Sequence, residues 1–191
     1  MYDDEFELTF DLSDEDKASR APEPEQEPVQ EAAPEPAAET EPPVEAVPEP
    51  AVPAANGRCV LISGGDRGIG AAAARAFWQA GYRVAVLYHT HAEAAAALEK
   101  ALPGLLAVQC DVASRASCEV AFHTVEQAVG HVDVLVSNAG IAQQKLFTDI
   151  TPEEWQHMLD VNLSGAFHLC QLALPGMIRR KAGRILTVSS M

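Results

Sequence analysis

The chain has 191 residues, of which 28 are acidic and 13 are basic, and its formal net charge is −15. All of this charge lies in residues 1–56, where 17 acidic side chains stand against Lys17 and Arg20, a balance of −15. Residues 57–191 carry 11 acidic and 11 basic side chains, so the acidic composition gives no support to a nucleic-acid-binding function.

The four cysteines form no Cys-x-x-Cys pair, and each lies in or beside an apolar stretch: Cys59, Cys110, Cys118 and Cys170. This spacing does not match a zinc site, so we expect no metal, and it predicts reduced, buried thiols in a cytoplasmic protein. The acidic first ten residues lack the apolar core of a secretory signal. No apolar stretch approaches the roughly 20 residues of a membrane-spanning helix, so no membrane partner is expected.

The N-terminal part of the chain has the composition of a disordered tail. Residues 1–20 mix acids with apolar side chains, which predicts a solvated acidic segment, with a short docking motif as the alternative. Residues 21–55 contain ten prolines between Pro22 and Pro53. Because proline removes N–H donors and like charges repel, we predict an extended tail over 1–56 and a folded domain over 57–191.

Alternating strand and helix patterns begin at Arg58. A long helix is predicted from the capping sequence at Thr151, through Asn162 to Arg180, with a kink near Pro175. The pattern indicates an α/β, Rossmann-like, doubly wound parallel sheet that ends after its fifth strand, with ligands beyond the strands' carboxyl ends. The other predicted elements are strands over 58–63, 82–88, 105–109, 132–137 and 184–189 and helices over 68–80, 91–102 and 114–129.

The turn between the first strand and the first helix reads Ser63-Gly64-Gly65-Asp66-Arg67-Gly68-Ile69-Gly70. Glycines let the backbone approach a ligand closely, and the helix that follows presents free N–H groups and a positive dipole end to an anion. The spacing differs from the Gly-x-Gly-x-x-Gly fingerprint of many dinucleotide-binding folds. A phosphate-binding turn is favoured, and an ordinary tight turn into a helix is the alternative.

The end of the second strand, Leu87-Tyr88-His89-Thr90, contains no acid. Many NAD-binding folds place an acid there to hold the ribose 2′-hydroxyl, and a carboxylate would repel a 2′-phosphate. Its absence, together with the guanidinium of Arg67, favours NADP(H) over NAD(H). The alternative is that Arg67 is a solvated loop charge, and His89 is a weaker candidate for the same role.

Five matches together resemble the short-chain dehydrogenase/reductase family. The turn over 63–70 is similar to the family's Thr/Ser-Gly-x-x-x-Gly-Ile-Gly pattern, and Asp111-Val112 resembles the pair that holds the adenine. Ser137-Asn138-Ala139-Gly140 resembles the family's Asn-Asn-Ala-Gly motif, with Ser137 in place of the first Asn. The resemblance implies that small residues there accommodate the nicotinamide-side ribose and that Asn138 hydrogen-bonds to neighbouring strands.

The fourth and fifth matches are Asn162 and Ser190. Asn162 shares a helical face with Trp155, Met158 and Leu159, so a buried amide there would need hydrogen-bond partners, and a locally satisfied core Asn is the alternative. The resemblance implies a helix distortion in which Asn162 holds a water of the proton relay. It also implies that the Ser190 hydroxyl polarises the substrate carbonyl, with the adjacent Ser189 less favoured.

The family's Tyr-x-x-x-Lys pair does not occur, since the three tyrosines are Tyr2, Tyr82 and Tyr88. We therefore expect an incomplete sequence that binds dinucleotide poorly and is nearly inactive, with an exposed apolar edge on its fifth strand.

The resemblance implies that the parent enzyme, a 3-oxoacyl-[acyl-carrier-protein] reductase-like homotetramer, reduces a carrier- or protein-linked ketone with NADPH. Residues 143–150 and 189–191 also resemble bacterial reductases of 5-aminopentanone-modified elongation factor P. A non-catalytic dinucleotide-binding or interaction module is the alternative.

Overall fold

Five parallel strands form the centre of the fold. The computed structural model describes residues 55–189, and the strands run β1 (Cys59–Ser63), β2 (Arg83–Tyr88), β3 (Leu106–Gln109), β4 (Val134–Ser137) and β5 (Arg184–Thr187). Their order across the sheet is β3-β2-β1-β4-β5, and every neighbouring pair is parallel. The predicted doubly wound parallel sheet is confirmed, and its winding direction reverses between β1 and β4.

Helices cover both faces of the sheet. They are α1 (Gly68–Gln79), α2 (Ala92–Ala101), α3 (Arg115–Val129), α4 (Pro152–Leu159) and α5 (Gly165–Arg180). Alternate residues of β1 face opposite sides: Cys59 and Leu61 pack in one apolar cluster with α3 and α5, whereas Val60 and Ile62 pack in another with α1 and α2. All of β1 is buried, as expected of a central strand of a parallel sheet.

The predicted long helix is interrupted near Asn162, where the resemblance implied a distortion. Residues Asp160–Ser164 form a π-helical turn between α4 and α5, and Asn162 lies within it. Pro175 lies inside α5, and the helix continues past this residue to Arg180. The start of α4 is the predicted capping box, in which Thr151 and Glu154 each bind the other's backbone N–H with their side chains.

Strand β5 forms the edge of the sheet next to β4. Leu186 in β5 is 47% exposed and Val188, just after the strand, is 42% exposed, so the apolar edge predicted for this strand is present. Among the helices of residues 55–189, none combines the length and the hydropathy that crossing a bilayer requires.

Several predictions lie outside the described residues. These are residues 1–54 of the disordered tail predicted over 1–56, and the placement of Ser190. The described residues belong to one unit of the chain, and the domain boundary at residue 56 stays a prediction.

Candidate functional site

A cleft of about 420 Å³ lies at the carboxyl edge of the sheet, over the point where the winding direction reverses. The loops after four strands contribute to its wall, together with His157 of α4 and Val161 of the π-helical turn. Eleven of the twelve residues predicted to bind a cofactor line it: Gly64, Arg67, Gly68, Ile69, Tyr88, His89, Asp111, Val112, Asn138, Ala139 and Gly140. The topology therefore brings motifs that are far apart in the sequence to one place.

The twelfth residue, Gly70, supports the turn from behind. A Cβ at Gly70 would lie 2.1 Å from the Gly64 carbonyl oxygen and 2.7 Å from Asn138 Nδ2. Gly64 has φ of +60°, and a Cβ there would lie 3.0 Å from the Ala139 Cα. Glycine is thus required at both positions because the turn after β1 packs directly against the loop after β4.

A hydrogen-bond network joins β1 to the loop after β4. The hydroxyl of Ser63 accepts from the backbone N–H groups of Asn138 and Ala139, both at 3.0 Å. The Asn138 side chain donates from Nδ2 to the carbonyl oxygens of Ser63 at 3.1 Å and Gly64 at 2.9 Å. Ser63 is fully buried, so these bonds form away from solvent and fix the floor of the cleft.

The glycine turn over residues 63–70 leads directly into α1. Arg67 is the N-cap residue, its side chain is exposed, and no ion-pair partner for it occurs within residues 55–189. No acidic side chain occupies the first turn of α1. The start of this helix therefore presents N–H groups, a positive dipole end and a guanidinium at the cleft.

The structure places an acid where the sequence predicted none. Asp66 comes from the glycine turn, and its Oδ2 atom lies 3.4 Å from Nδ1 of His91, three residues after the last residue of β2. Both residues line the cleft beside Tyr88 and His89. The inference that this end of β2 is free of carboxylates is wrong, because a side chain from another loop reaches it.

Asp111 and Val112 are held in place by neighbouring elements. Asp111 Oδ1 accepts from the Ala113 N–H at 3.0 Å, which is the ordinary turn role of an Asp after a strand. Val112 is buried, and a Cβ at Gly165 would lie 2.9 Å from its Cγ2 atom, so α5 packs closely behind it. Within residues 55–189 the Asp111 carboxylate has no other hydrogen-bond donor, so its second oxygen is available to a ligand.

Asn162 lies beside the cleft and connects the π-helical turn to its wall. Its Oδ1 atom accepts from the Ile141 N–H at 2.8 Å, and its Nδ2 atom donates to the Ile141 carbonyl at 3.0 Å. The expectation of a buried apolar face around it is wrong, because Asn162 is exposed and Trp155 is 49% exposed. No residue of α4 is buried, and this helix contributes no residue to either apolar cluster.

The cysteines form part of the apolar core below the cleft. Burial raises the pKa of the Cys59 thiol to about 12. The Sγ atoms of Cys110 and Cys118 lie 3.9 Å apart. The neighbouring Cys110 thiol and burial raise the pKa of Cys118. None of the four thiols forms a disulfide. Within the described part of the chain, no group of three or more His, Cys, Asp or Glu residues could hold a metal ion.

Sequence reasoning missed several residues of the site. Ser63 reads as the last residue of a strand, and its role depends on Asn138, which is 75 residues away in the sequence. Asp66 reads as a turn residue, and Ile141 reads as an apolar loop residue. The cleft's other unpredicted lining residues are Leu87, Thr90, His91, Cys110, His157 and Val161.

Comparisons with a family model and with curated proteins indicate the same family. Residues 58–191 match the family model described as short chain dehydrogenase. The chain is 38% identical over 134 residues to acetoacetyl-CoA reductase of Paracoccus denitrificans, an alignment that covers 70% of this chain and 55% of the relative. It is 39% identical over 134 residues to the 3-oxoacyl-[acyl-carrier-protein] reductase MabA of Mycobacterium tuberculosis strain H37Rv, covering 70% of this chain and 51% of MabA.

Solved structures show the same similarity. The crystal structure of gox2181 matches with a TM-score of 0.65 at 32% identity, over 70% of this chain and 54% of that chain. A mutant short-chain dehydrogenase/reductase of Serratia marcescens matches with a TM-score of 0.64 at 30% identity, over 71% and 56% of the two chains. The chain spans about half the length of the curated relatives it matches.

Proposed function

Because the chain belongs to the short-chain dehydrogenase family, we propose that its cleft binds a nicotinamide dinucleotide for the reduction of a ketone. The observation that supports this most strongly is the convergence of the glycine turn, the end of β2, Asp111-Val112 and Asn138–Gly140 on one cleft. Ligands of doubly wound sheets bind at this edge, where the winding direction reverses.

The residues present fit such a ligand. The pyrophosphate is accommodated at the start of α1, where Gly68 has φ of +53° and a Cβ would meet nothing within 4 Å, so the backbone is open to a close approach. Asp111 provides an acceptor for the adenine amino group, and Val112 provides an apolar surface for the ring. Ala139 and Gly140 leave space for the second ribose, above the floor that Ser63 and Asn138 hold in place.

We assign the cofactor as NADP(H) in preference to NAD(H), and Arg67 carries this proposal. Its guanidinium is exposed at the cleft and has no ion-pair partner within residues 55–189, so it is available to a 2′-phosphate. Replacing Arg67 with Ala should weaken binding of NADPH more than binding of NADH. Equal losses for the two dinucleotides would contradict the assignment.

The chemistry requires a carbonyl held beside the nicotinamide side of the cleft. When bound, the reduced cofactor supplies a hydride to the carbonyl carbon. The Asn162 side chain holds Ile141 through both of its amide atoms, and each of these atoms keeps capacity for one more hydrogen bond, so it can also hold a water. We propose that Ser190 polarises the substrate carbonyl, as its place in the sequence after β5 suggests.

The substrate class that we propose is a 3-oxoacyl thioester, carried by a carrier protein or by coenzyme A. The names of the relatives, acetoacetyl-CoA reductase and 3-oxoacyl-[acyl-carrier-protein] reductase, support this class. Two alternative functions stay predictions: a reductase of modified elongation factor P, and a non-catalytic binding module. Reading the gene past Met191 separates enzyme from module, because an in-frame Tyr-x-x-x-Lys shortly downstream would support the enzyme.

We further propose that the parent enzyme works in the cytoplasm as a homotetramer. Unpaired, mostly buried cysteines support a reducing compartment. Large exposed apolar side chains at helical spacing support association through the π-helical turn and α5, namely Leu163, Phe167, Leu174 and Ile178. Light scattering during size-exclusion chromatography would test this, and a monomer at all concentrations of the full-length protein would contradict it.

A matched pair of glycine variants tests dinucleotide binding. Gly68 and Gly104 both have positive φ and open space where a Cβ would lie, but only Gly68 lines the cleft. Gly68→Glu places a negative charge where the pyrophosphate is expected and should abolish binding in a cofactor fluorescence titration. Gly104→Glu should cause similar backbone strain and leave binding unchanged. Loss of binding in both variants, or in neither, would contradict the proposed site.

A further inference from the structure

The Asp66 side chain is buried at the cleft with an unsatisfied oxygen. It is 6% exposed, and its Oδ2 atom has no hydrogen-bond partner among the described residues. The imidazole Nδ1 of His91 lies 3.4 Å away, and that nitrogen also lies 3.3 Å from the Thr90 hydroxyl. Because an unsatisfied buried carboxylate oxygen is unfavourable, Oδ2 is suited to accept a hydrogen bond from a ligand.

The position of this carboxylate defines which part of a dinucleotide it would meet. Thr90 and His91 follow Tyr88, the last residue of β2. In doubly wound folds, the end of this strand is where the 2′ position of the adenosine ribose is recognised. Asp66 therefore places a carboxylate from the glycine turn beside this end of β2, although β2 itself ends without an acid.

We propose that Asp66 is a specificity-determining residue that favours a ribose 2′-hydroxyl over a 2′-phosphate and so opposes the adjacent Arg67. A hydroxyl can donate a hydrogen bond to Oδ2, whereas an ionised phosphate has no proton to donate and adds negative charge beside the carboxylate. The preference for NADP(H) is then a balance between neighbouring residues of opposite charge. This inference rests on the dinucleotide binding proposed above.

The test compares ligands that differ only by the 2′-phosphate. ADP-ribose and 2′-phospho-ADP-ribose are titrated into the full chain by calorimetry at fixed pH and ionic strength. Asp66→Asn keeps the shape of the side chain but removes its charge, and it should raise the affinity for the 2′-phosphorylated ligand relative to ADP-ribose by about tenfold. Asp66→Ser provides a second, smaller uncharged side chain and should shift the ratio in the same direction.

Glu93→Gln is the matched control, because Glu93 is an exposed carboxylate in the first turn of α2 and does not line the cleft. It should leave the affinity ratio unchanged. If the wild-type chain binds both ligands and the affinity ratio in both Asp66 variants equals the wild-type ratio, the inference is overturned while the dinucleotide site stands. An equal shift in Glu93→Gln would also overturn it. If neither ligand binds the wild-type chain, both the inference and the proposed function fail.

Discussion

The hydroxyl of Ser63, at the end of β1, accepts the backbone N–H of Asn138, at the end of β4, at 3.0 Å. Asn138 returns two hydrogen bonds from its side chain, to the Ser63 carbonyl at 3.1 Å and to the Gly64 carbonyl at 2.9 Å. These bonds join the two strands between which the winding direction reverses. They hold the glycine turn and the loop over 138–141 at a fixed separation, and this separation defines the cleft.

Ser63→Ala should destabilise the chain, because it removes the acceptor of two largely buried N–H groups, those of Asn138 and Ala139. We expect a loss of about 1–3 kcal/mol in the free energy of unfolding, measured by urea denaturation. Thr124→Ala is the control, since that hydroxyl is exposed and binds only a carbonyl of its own helix. A Ser63→Ala chain as stable as the control would show that this network contributes little.

Gly70→Ala should disrupt the glycine turn, since the added Cβ would lie 2.1 Å from the backbone oxygen of Gly64, which cannot rotate away. We expect dinucleotide binding to be lost in a fluorescence titration and stability to fall by at least about 1–3 kcal/mol. Gly104→Ala meets open space and has φ of +86°, so it should cost about 1–2 kcal/mol and retain binding. Unchanged binding in Gly70→Ala would contradict the close packing of this turn.

Asn162→Ala should free the loop at Ile141, because both backbone hydrogen bonds to that residue are lost. Hydrogen exchange at the Ile141 amide should become faster than in the wild-type chain. Asn162→Asp keeps the Oδ1 acceptor for this amide and should preserve most of its protection. If exchange at Ile141 is equally fast in the wild-type chain and in both variants, Asn162 does not position this loop.

The capping box of α4 should make stability depend on pH. The Lys145 ammonium beside Glu154 lowers the pKa of that carboxyl, and the Thr151 N–H acts in the same direction. Because the folded pKa lies below the unfolded one, the carboxylate stabilises the fold above the unfolded pKa, and this contribution is lost as the pH falls through the folded pKa. Glu154→Gln retains the cap but does not titrate.

Urea denaturation of both proteins at neutral and acidic pH measures this effect. The wild-type chain should lose more stability on acidification than Glu154→Gln does. An NMR titration of the Glu154 carboxyl should give a midpoint below the ordinary glutamate range. A midpoint within that range, or the same acid sensitivity in both proteins, would show that the ion pair with Lys145 does not persist in solution.

A thiol reagent should react with Cys170 in the native chain and not with the other three cysteines. Cys170 is partly exposed, although burial raises its pKa, whereas Cys59, Cys110 and Cys118 are buried. With a disulfide reagent at pH 8 we expect one thiol to react in the native chain and four after denaturation. Cys170→Ser should remove the native reaction. Several thiols reacting rapidly in the native chain would contradict the packing below the cleft.

Local sequence patterns predicted the fold well because each strand and helix has its own signal. The apolar run of β1, the glycines after it and the cap at Thr151 are local features, and the structure contains each of them. The contacts that shape the cleft are not local. Asp66, in the turn after β1, meets His91, in the loop after β2, and Ser63 meets Asn138 across the sheet, so neither pair could be derived from spacing alone.

The helical spacing of apolar residues also did not predict the irregular turn around Asn162. The spacing of Trp155, Met158 and Leu159 suggested a buried helical face, whereas no residue of α4 is buried. The resemblance to the family implied a distortion at Asn162, and the π-helical turn lies there. The glycine at 183 shows a similar limit: a Cβ there would lie 2.4 Å from Met177, a contact that only the folded chain reveals.

The most direct test of dinucleotide binding is an NMR titration of the ¹⁵N-labelled 191-residue chain with NADPH, which detects even weak association. We predict saturable shifts of the backbone amides over 64–70, 88–91, 111–112 and 138–141, with the remaining amides of residues 55–189 little changed. No saturable shifts at millimolar NADPH, or shifts centred on α4 and α5 instead, would contradict dinucleotide binding in the cleft between β1 and β4.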